Sequence, residues 1–310
     1  MTGVLLMAYG AVSREEDLEA YFTDIRGGRT PTPEAVEELR QRYRRIGGRS
    51  PLAEITRAQA RALEEKLNEG PGSFRVFVGM RHWHPFIRET VREEIAASAV
   101  EPLVALVLAP HYSKMSIGAY FQRLDEACRQ LERPPTVLPV RDYHDDPGFI
   151  AAVTETVQRQ LQTFGEEADD ARQRVKVLFS AHSLPARAVE EGDPYRDQLL
   201  ASARLVAGAC GGLDWEFAFQ SASSTGVPWL GPDILEVLGQ LADQGYRNVL
   251  VVPVGFICDH LEILYDIDVE CQETAARLDL NLRRTEMLND RPSFIDALAG
   301  IVRGRLEQGP

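Results

Sequence analysis

The chain has 310 residues, 44% of them hydrophobic and 26% charged, enough for a sizeable core in two domains or one large one. Its 34 Lys and Arg stand against 47 Asp and Glu, a net charge of −13 that repels nucleic acid and anionic membrane and argues against both as partners. No apolar run approaches the roughly 18 residues that span a bilayer, so no integral membrane segment is expected. The opening Met1–Gly10 stretch lacks a basic n-region and turns acidic at Glu15, which reads as a strand and not as a signal peptide. Cys128, Cys210, Cys258 and Cys271 form no C-x-x-C and read as reduced thiols of a cytosolic protein.

Short β-branched runs alternate with amphipathic stretches of helix length, the pattern of a parallel α/β sheet. A strand at 3–9 leads into helices at 14–25, 33–46 and 52–68. Strand 74–79 is followed by helix 85–98, strand 102–109 by helix 117–132, and strand 136–140 by helix 147–164. The charged segment 165–174 reads as a solvated linker or helix end. Strand 175–180 then precedes helix 195–209, strand 215–220 helix 232–244, strand 247–254 helix 260–276, and strand 280–286 helix 293–307. Near-continuous apolar strands such as 103–109 and 249–254 imply burial on both faces. From the first strand end, Tyr9, to the second, Met80, the chain is about 33 residues longer than its counterpart from His182 to Gln220. The spacing therefore predicts two similar Rossmann-like lobes, 1–145 and 146–310, each a four-stranded parallel sheet flanked by helices. A basic helical insertion at about 14–50 lies in the first lobe, and the last helix, about 293–307, packs back on that lobe.

The insertion holds seven arginines (26, 29, 40, 42, 44, 45 and 49) against Glu34, Glu37 and Glu38. One reading is a solvated face with i,i+4 pairs such as Glu38–Arg42. The other is a dock for an anionic ligand, because guanidinium pairs with carboxylate or phosphate through two hydrogen bonds. Gly27-Gly28 and Gly47-Gly48 flank the segment and allow sharp turns.

In doubly wound folds ligands sit beyond the carboxyl ends of the strands. Five of the six histidines (82, 84, 111, 182 and 260) follow strand ends, as do Tyr9 and the run Ser221 to Ser224. Any one such histidine is more often a structural, hydrogen-bonded residue; five together point to metal or proton handling. The chain has no H-E-x-x-H, zinc-type Cys/His spacing, P-loop or G-x-S-x-G elbow. Glu262, Asp266 and Glu270 recur at i, i+4 and i+8, which stacks three carboxylates on one helix face. They read either as an exposed acidic face or as a path for protons or hydrated divalent cations, the latter favoured by their start at a strand tip.

Several blocks together carry a resemblance. They are Met7-Ala8-Tyr9-Gly10, Ile46-Gly47-Gly48-Arg49-Ser50-Pro51-Leu52, Leu108-Ala109-Pro110-His111-Tyr112-Ser113 and Ser180-Ala181-His182-Ser183-Leu184-Pro185. Gly192-Asp193-Pro194-Tyr195, Trp229-Leu230-Gly231-Pro232, Val252-Pro253-Val254-Gly255-Phe256 and Asp259-His260-Leu261-Glu262 follow in the same order. In this order, across nearly the whole chain, they resemble the ferrochelatase family, and within it the short form of monoderm bacteria. The resemblance implies two class II chelatase-like lobes that hold a porphyrin in a cleft, with Fe²⁺ as substrate and coproporphyrin III as the favoured macrocycle. It implies that His182 and Glu262 handle metal and accept protons on one face of the macrocycle, with Tyr9 on the other. Arg26, Arg42, Ser50 and Tyr120 fall where the family contacts propionates, and Asp266 and Glu270 match an acidic line that lies on a π-helical stretch in relatives. It further implies a cytoplasmic monomer.

Three departures qualify the match. Arg26 is followed by Gly27-Gly28 where relatives often have another basic residue, which predicts fewer propionate contacts. Trp83 and His84 stand where aliphatic and acidic residues are common. No cysteine follows Cys271, so no iron–sulfur cluster and no permanently bound cofactor are expected. The chemistry suits the residues, since a neutral imidazole takes a proton near pH 7 where an ordinary carboxylate is too weak a base. Protoporphyrin IX as substrate, a cobalt or nickel tetrapyrrole chelatase, and a non-catalytic two-lobed binder stand as alternatives. The binder would ordinarily be exported.

Overall fold

Residues 2–8, Thr-Gly-Val-Leu-Leu-Met-Ala, offer a strand apolar side chains on both faces, and a parallel sheet covered by helices is where such a strand is stable. In the computed structural model, which describes residues 1–165, 175–222 and 226–309, this stretch forms β1 (Thr2–Ala8), with Val4 to Met7 wholly buried. All but the first residue of the 165–174 segment, and Ser223 and Ser224, lie outside the described residues.

After β1 come α1 (Leu18–Ile25), α2 (Pro33–Arg45), α3 (Leu52–Asn68) and β2 (Phe74–Met80). Next are α4 (Ile87–Thr90), a π-helical turn (Val91–Ile95), α5 (Ala96–Ser98), β3 (Leu103–Val107), α6 (Ile117–Cys128) and β4 (Val137–Val140). The second half runs α7 (Pro147–Gly165), β5 (Val175–His182), α8 (Ala186–Glu190), α9 (Tyr195–Ala209), β6 (Trp215–Gln220), α10 (Ile234–Asp243) and β7 (Asn248–Val252). It continues through α11 (Leu261–Leu264), a second π-helical turn (Asp266–Cys271), α12 (Gln272–Arg277), β8 (Asn281–Arg284) and α13 (Pro292–Glu307).

The two sheets share one topology, β2-β1-β3-β4 and β6-β5-β7-β8, with every strand pair parallel. In each, the first strand lies inside the sheet and the chain reverses its direction of winding beside it. That topological switch opens a crevice at the carboxyl ends of β1 and β3 in one sheet and of β5 and β7 in the other. The chain divides into two units: Met1–Tyr143 with Cys258–Leu261 and Asn289–Pro310, and His144–Ile257 with Glu262–Leu288. Within the first unit α13 packs on α3 and β4, and Arg305 Nε donates to the Pro139 carbonyl at 3.1 Å.

The longer first crossover is the pair α1 and α2. Thr32 caps α2 by accepting from the Ala35 N–H at 3.3 Å, with Pro33 at the first helical position where its missing N–H costs nothing. The pair is held by an apolar cluster of Val12, Leu18, Tyr21 and Tyr43, against which Trp83 packs. Trp83, unusual by family resemblance, thus has a packing task. Its backbone also explains Gly10: at φ +97°, a Cβ there would meet the Trp83 nitrogen at 2.9 Å.

All eight strands fall where the apolar runs place them. The structure differs in the helices. The stretches 85–98 and 260–276 are not continuous α-helices, because a π-helical turn interrupts each, the second where the resemblance implied one, and α8 follows β5 where no helix was expected. At the second interruption the Glu270 N–H reaches back five residues to the Tyr265 carbonyl at 3.0 Å. A period-3.6 pattern does not reveal such a widened turn, since one extra residue leaves the flanking apolar periodicity intact. Among the described residues no helix is long and apolar enough to cross a membrane.

Candidate active site

His182 is the last residue of β5, paired in register with Gln220 at the end of β6. Apolar residues upstream bury the strand, and the site begins where burial stops: Ala181 is buried and His182 only partly so. The Nδ1–H of His182 donates to the Ser183 carbonyl, which can only accept, so Nε2 is the nitrogen facing outward. Nε2 lies 3.5 Å from Glu262 Oε1, with about a third of each side chain exposed (32% and 29%). Burial works against a charged imidazole, yet the Glu262 carboxylate, the Ser183 carbonyl and the Asp266 charge outweigh it and push the His182 pKa up to about 9. At neutral pH the pair is imidazolium with carboxylate. This corrects the expectation of a neutral imidazole: the anionic carboxylate beside it keeps the proton on the imidazole.

The acidic line is not an exposed face. Glu262 sits on α11, while Asp266 opens the second π-helical turn and is 4% exposed. Asp266 accepts a short hydrogen bond from the Ser221 hydroxyl. Ser221 adopts φ +61°, a left-handed conformation that costs a residue with a Cβ and that turns its side chain toward Asp266. Glu270 is half-buried on the same turn. Asp268, which the i,i+4 spacing leaves out, is engaged by the Arg284 guanidinium through two hydrogen bonds of 2.7 and 2.8 Å.

Three residues not singled out as site residues hold this arrangement. The Tyr195 hydroxyl donates to the His182 carbonyl at 3.0 Å, and burial, followed by the Glu262 charge, pushes its phenol pKa up. Gln220 Nε2 donates to the Glu262 carbonyl at 2.9 Å. Gly255 follows β7 with its Cβ position 2.4 Å from Ala181 Cβ, so no side chain fits between the strand end that carries His182 and the chain leading to Glu262. Tyr195 and Gly255 lie in the sequence blocks that carried the resemblance; Gln220 had only its strand-end position as a signal.

The remaining expected site residues belong to the first unit. Tyr9 is 39% exposed, its ring centroid 4.6 Å from that of His82. His82 is buried, with Nδ1 2.7 Å from Asp24 Oδ2 on α1; burial, only partly offset by Asp24, lowers its pKa to about 4. Arg26, at the end of α1, is exposed and its guanidinium lies over the Phe22 ring, 5.7 Å from the centroid. Arg42 is half-buried on α2. Ser50 is buried, and its hydroxyl accepts from the Leu52 N–H at 3.4 Å as α3 begins. Tyr120 is buried on α6 within an apolar cluster, with the Arg81 guanidinium 5.3 Å from its ring centroid. The insertion's other arginines divide. Arg40 and Arg44 pair with Glu15 and Glu37, and Arg49 pairs with Glu54.

Three of the strand-end histidines have local partners. His82 is committed to Asp24, His84 to Glu89 at 2.9 Å, and His260 Nδ1 to the Cys258 carbonyl at 2.9 Å. His182 pairs with Glu262, a carboxylate of the acidic line.

The structure thus defines a parallel α/β protein of two like sheets, with an imidazolium–carboxylate pair at the β5 switch point backed by a π-helical acidic turn. Solved structures show the same fold. SirB from Bacillus subtilis with Fe³⁺ aligns with TM-score 0.61 at 13% identity, covering 98% of this chain and 96% of that one. CbiX, described as the terminal enzyme for biosynthesis of siroheme in denitrifying bacteria, aligns with TM-score 0.53 at 12% identity. It covers 97% of this chain and 98% of its own. Sequence comparison is more specific. The Ferrochelatase family model matches residues 1–306. The ferrochelatase of Herpetosiphon aurantiacus is 44% identical over 305 residues, covering 98% of this chain and 99% of its own length. The coproporphyrin III ferrochelatase of Bacillus subtilis is 42% identical over 307 residues, covering 98% and 97%. The chain belongs to the ferrochelatase family: it is a lyase of haem biosynthesis whose substrates are a porphyrin and iron.

Proposed function

We propose that the porphyrin is coproporphyrin III and that His182 and Glu262 receive the ferrous ion and the pyrrole protons. The observation that carries the site assignment is the 3.5 Å His182–Glu262 pair at the β5 switch point, with Asp266 behind it. Relatives named coproporphyrin III ferrochelatase, from Bacillus subtilis and Geobacillus kaustophilus at 42% identity over 98% of the chain, support the choice of macrocycle. Metallation releases two protons as Fe²⁺ takes the four pyrrole nitrogens. The resting pair already holds a proton on His182, so that proton must leave before the imidazole can accept another or bind metal. An approaching dication does this electrostatically, since it repels the imidazolium proton and competes for Glu262. Asp266 and Glu270 are the carboxylates that take the charge onward. Nitrogen and oxygen donors together suit a borderline cation such as Fe²⁺.

Tyr9 meets the opposite face of the macrocycle in this reading, and Arg26, Arg42, Ser50 and Tyr120 serve the propionates. Anchoring the rim supplies binding energy that can be spent on distorting the ring. This reading calls for no iron–sulfur cluster. The experiment is ferrous insertion run on coproporphyrin III and protoporphyrin IX in parallel. A higher kcat/KM for protoporphyrin IX would replace the first macrocycle by the second. The name of the Herpetosiphon relative specifies no porphyrin and favours neither macrocycle.

A further inference from the structure

We propose that Gln220 is a positioning residue that sets the separation of His182 and Glu262. The inference rests on the reading of that pair as the metal-handling site. Gln220 is 1% exposed at the end of β6, and beyond its own ladder N–H three of its hydrogen bonds each reach a different part of the site. Its carbonyl accepts from the Ser183 N–H at 2.8 Å, which pins the turn whose carbonyl orients the His182 ring. Its side-chain oxygen accepts from the Ser180 hydroxyl at 3.0 Å, two residues before His182 on β5. Its side-chain nitrogen donates to the main-chain carbonyl of Glu262 at 2.9 Å. One amide therefore links the strand carrying the imidazole to the helix carrying the carboxylate. The link is stiff because both of its ends are backbone or buried hydroxyl. The Tyr195 hydroxyl holds the His182 carbonyl independently, so the imidazole stays in place when the amide is lost and Glu262 is the partner that moves.

A displacement of about 1 Å between reacting groups can cost on the order of a hundredfold in rate without changing how substrate is held. Gln220→Met keeps the length of the side chain and removes both side-chain hydrogen bonds. Assayed as the full chain for ferrous insertion, it is expected to lose about 10- to 100-fold in kcat with porphyrin KM within about twofold of wild type. Ser202→Ala is the matched control, since Ser202 is equally buried in the same unit and its hydroxyl donates to the His144 carbonyl at 2.6 Å. It is expected to keep wild-type kcat. The decisive reading is the double variant Glu262→Gln with Gln220→Met. If Gln220 acts through Glu262, the double is no slower than Glu262→Gln alone. A Gln220→Met kcat equal to that of Ser202→Ala, or a double slower than Glu262→Gln by the full Gln220→Met factor, overturns the proposal. A wild-type kcat in Glu262→Gln overturns the reading of the pair itself. If Gln220→Met does not fold, Gln220→Glu takes its place: it keeps the size and the acceptor for Ser180 but turns a carboxylate oxygen to the Glu262 carbonyl, with the same outcomes.

Discussion

Replacing Glu262 by Gln tests the electrostatics of the site with little change of shape. The Gln220 hydrogen bond goes to the Glu262 main chain and survives, so the perturbation is the loss of one negative charge 3.5 Å from His182 Nε2. Glu262 is the strongest influence raising the His182 pKa, and burial is the opposing one. The imidazole in the variant should therefore titrate near or below its ordinary 6.5 instead of at about 9. The difference amounts to about 3 kcal/mol of preference for the imidazolium. Solvent screening at a third-exposed pair leaves about 1–2 kcal/mol of that as folding stability. The sign follows from the folded pKa lying above the unfolded one: the contribution is whole below about pH 6.5 and is lost as pH rises through about 9. The assay is the ring-proton NMR titration of His182 in wild type and variant, with thermal unfolding of both across the same pH range. The unfolding temperatures should differ most in mild acid and converge above about pH 9. A wild-type His182 that titrates at or below 6.5, or a stability gap that widens with rising pH, would refute the pair as an imidazolium–carboxylate unit.

Arg26→Ala and Arg42→Ala should each raise porphyrin KM, more for a four-propionate than a two-propionate substrate, by about 10- to 100-fold in kcat/KM per lost charge-assisted contact. Asp266→Ala and Glu270→Ala should lower kcat or raise the iron KM and leave porphyrin KM alone; steady-state kinetics in both substrates separates the two patterns. Gly255→Ala places a Cβ 2.4 Å from Ala181 Cβ and 2.9 Å from its Cα, so backbone must shift at a cost of about 1–3 kcal/mol. Its unfolding temperature should fall by several degrees, and His182, next to Ala181, should move enough to reduce kcat. The purified protein should contain no acid-labile sulfide. Cys128, Cys258 and Cys271 are buried in reduced form, so replacing all four cysteines by Ala, which buries no new hydroxyl, should keep activity in the insertion assay.

The amino-acid sequence by itself determined the order and number of strands, because an apolar run of five to eight residues bounded by turn residues leaves a buried parallel strand few competitors. It also marked the insertion, through the spacing between Tyr9 and Met80, put His182 at a strand end, and started the Glu262–Asp266–Glu270 line just beyond another, where doubly wound sheets present their ligands. Tertiary structure decided what those residues are. The i,i+4 spacing of Glu262, Asp266 and Glu270 is equally that of a solvated face. Only the π-helical turn, the burial of Asp266 and the Ser221 hydroxyl bonded to it show otherwise. The charge of His182 depends on a carboxylate 80 residues away in the chain, and its position on Tyr195 and Gln220. Four of the five strand-end histidines belong to the first unit, where His82, His84 and His260 hold local partners. Periodicity reports which face of an element is buried, since burial is a property of the element. Protonation state and pair geometry are properties of contacts between elements, and those are set only when the chain has folded.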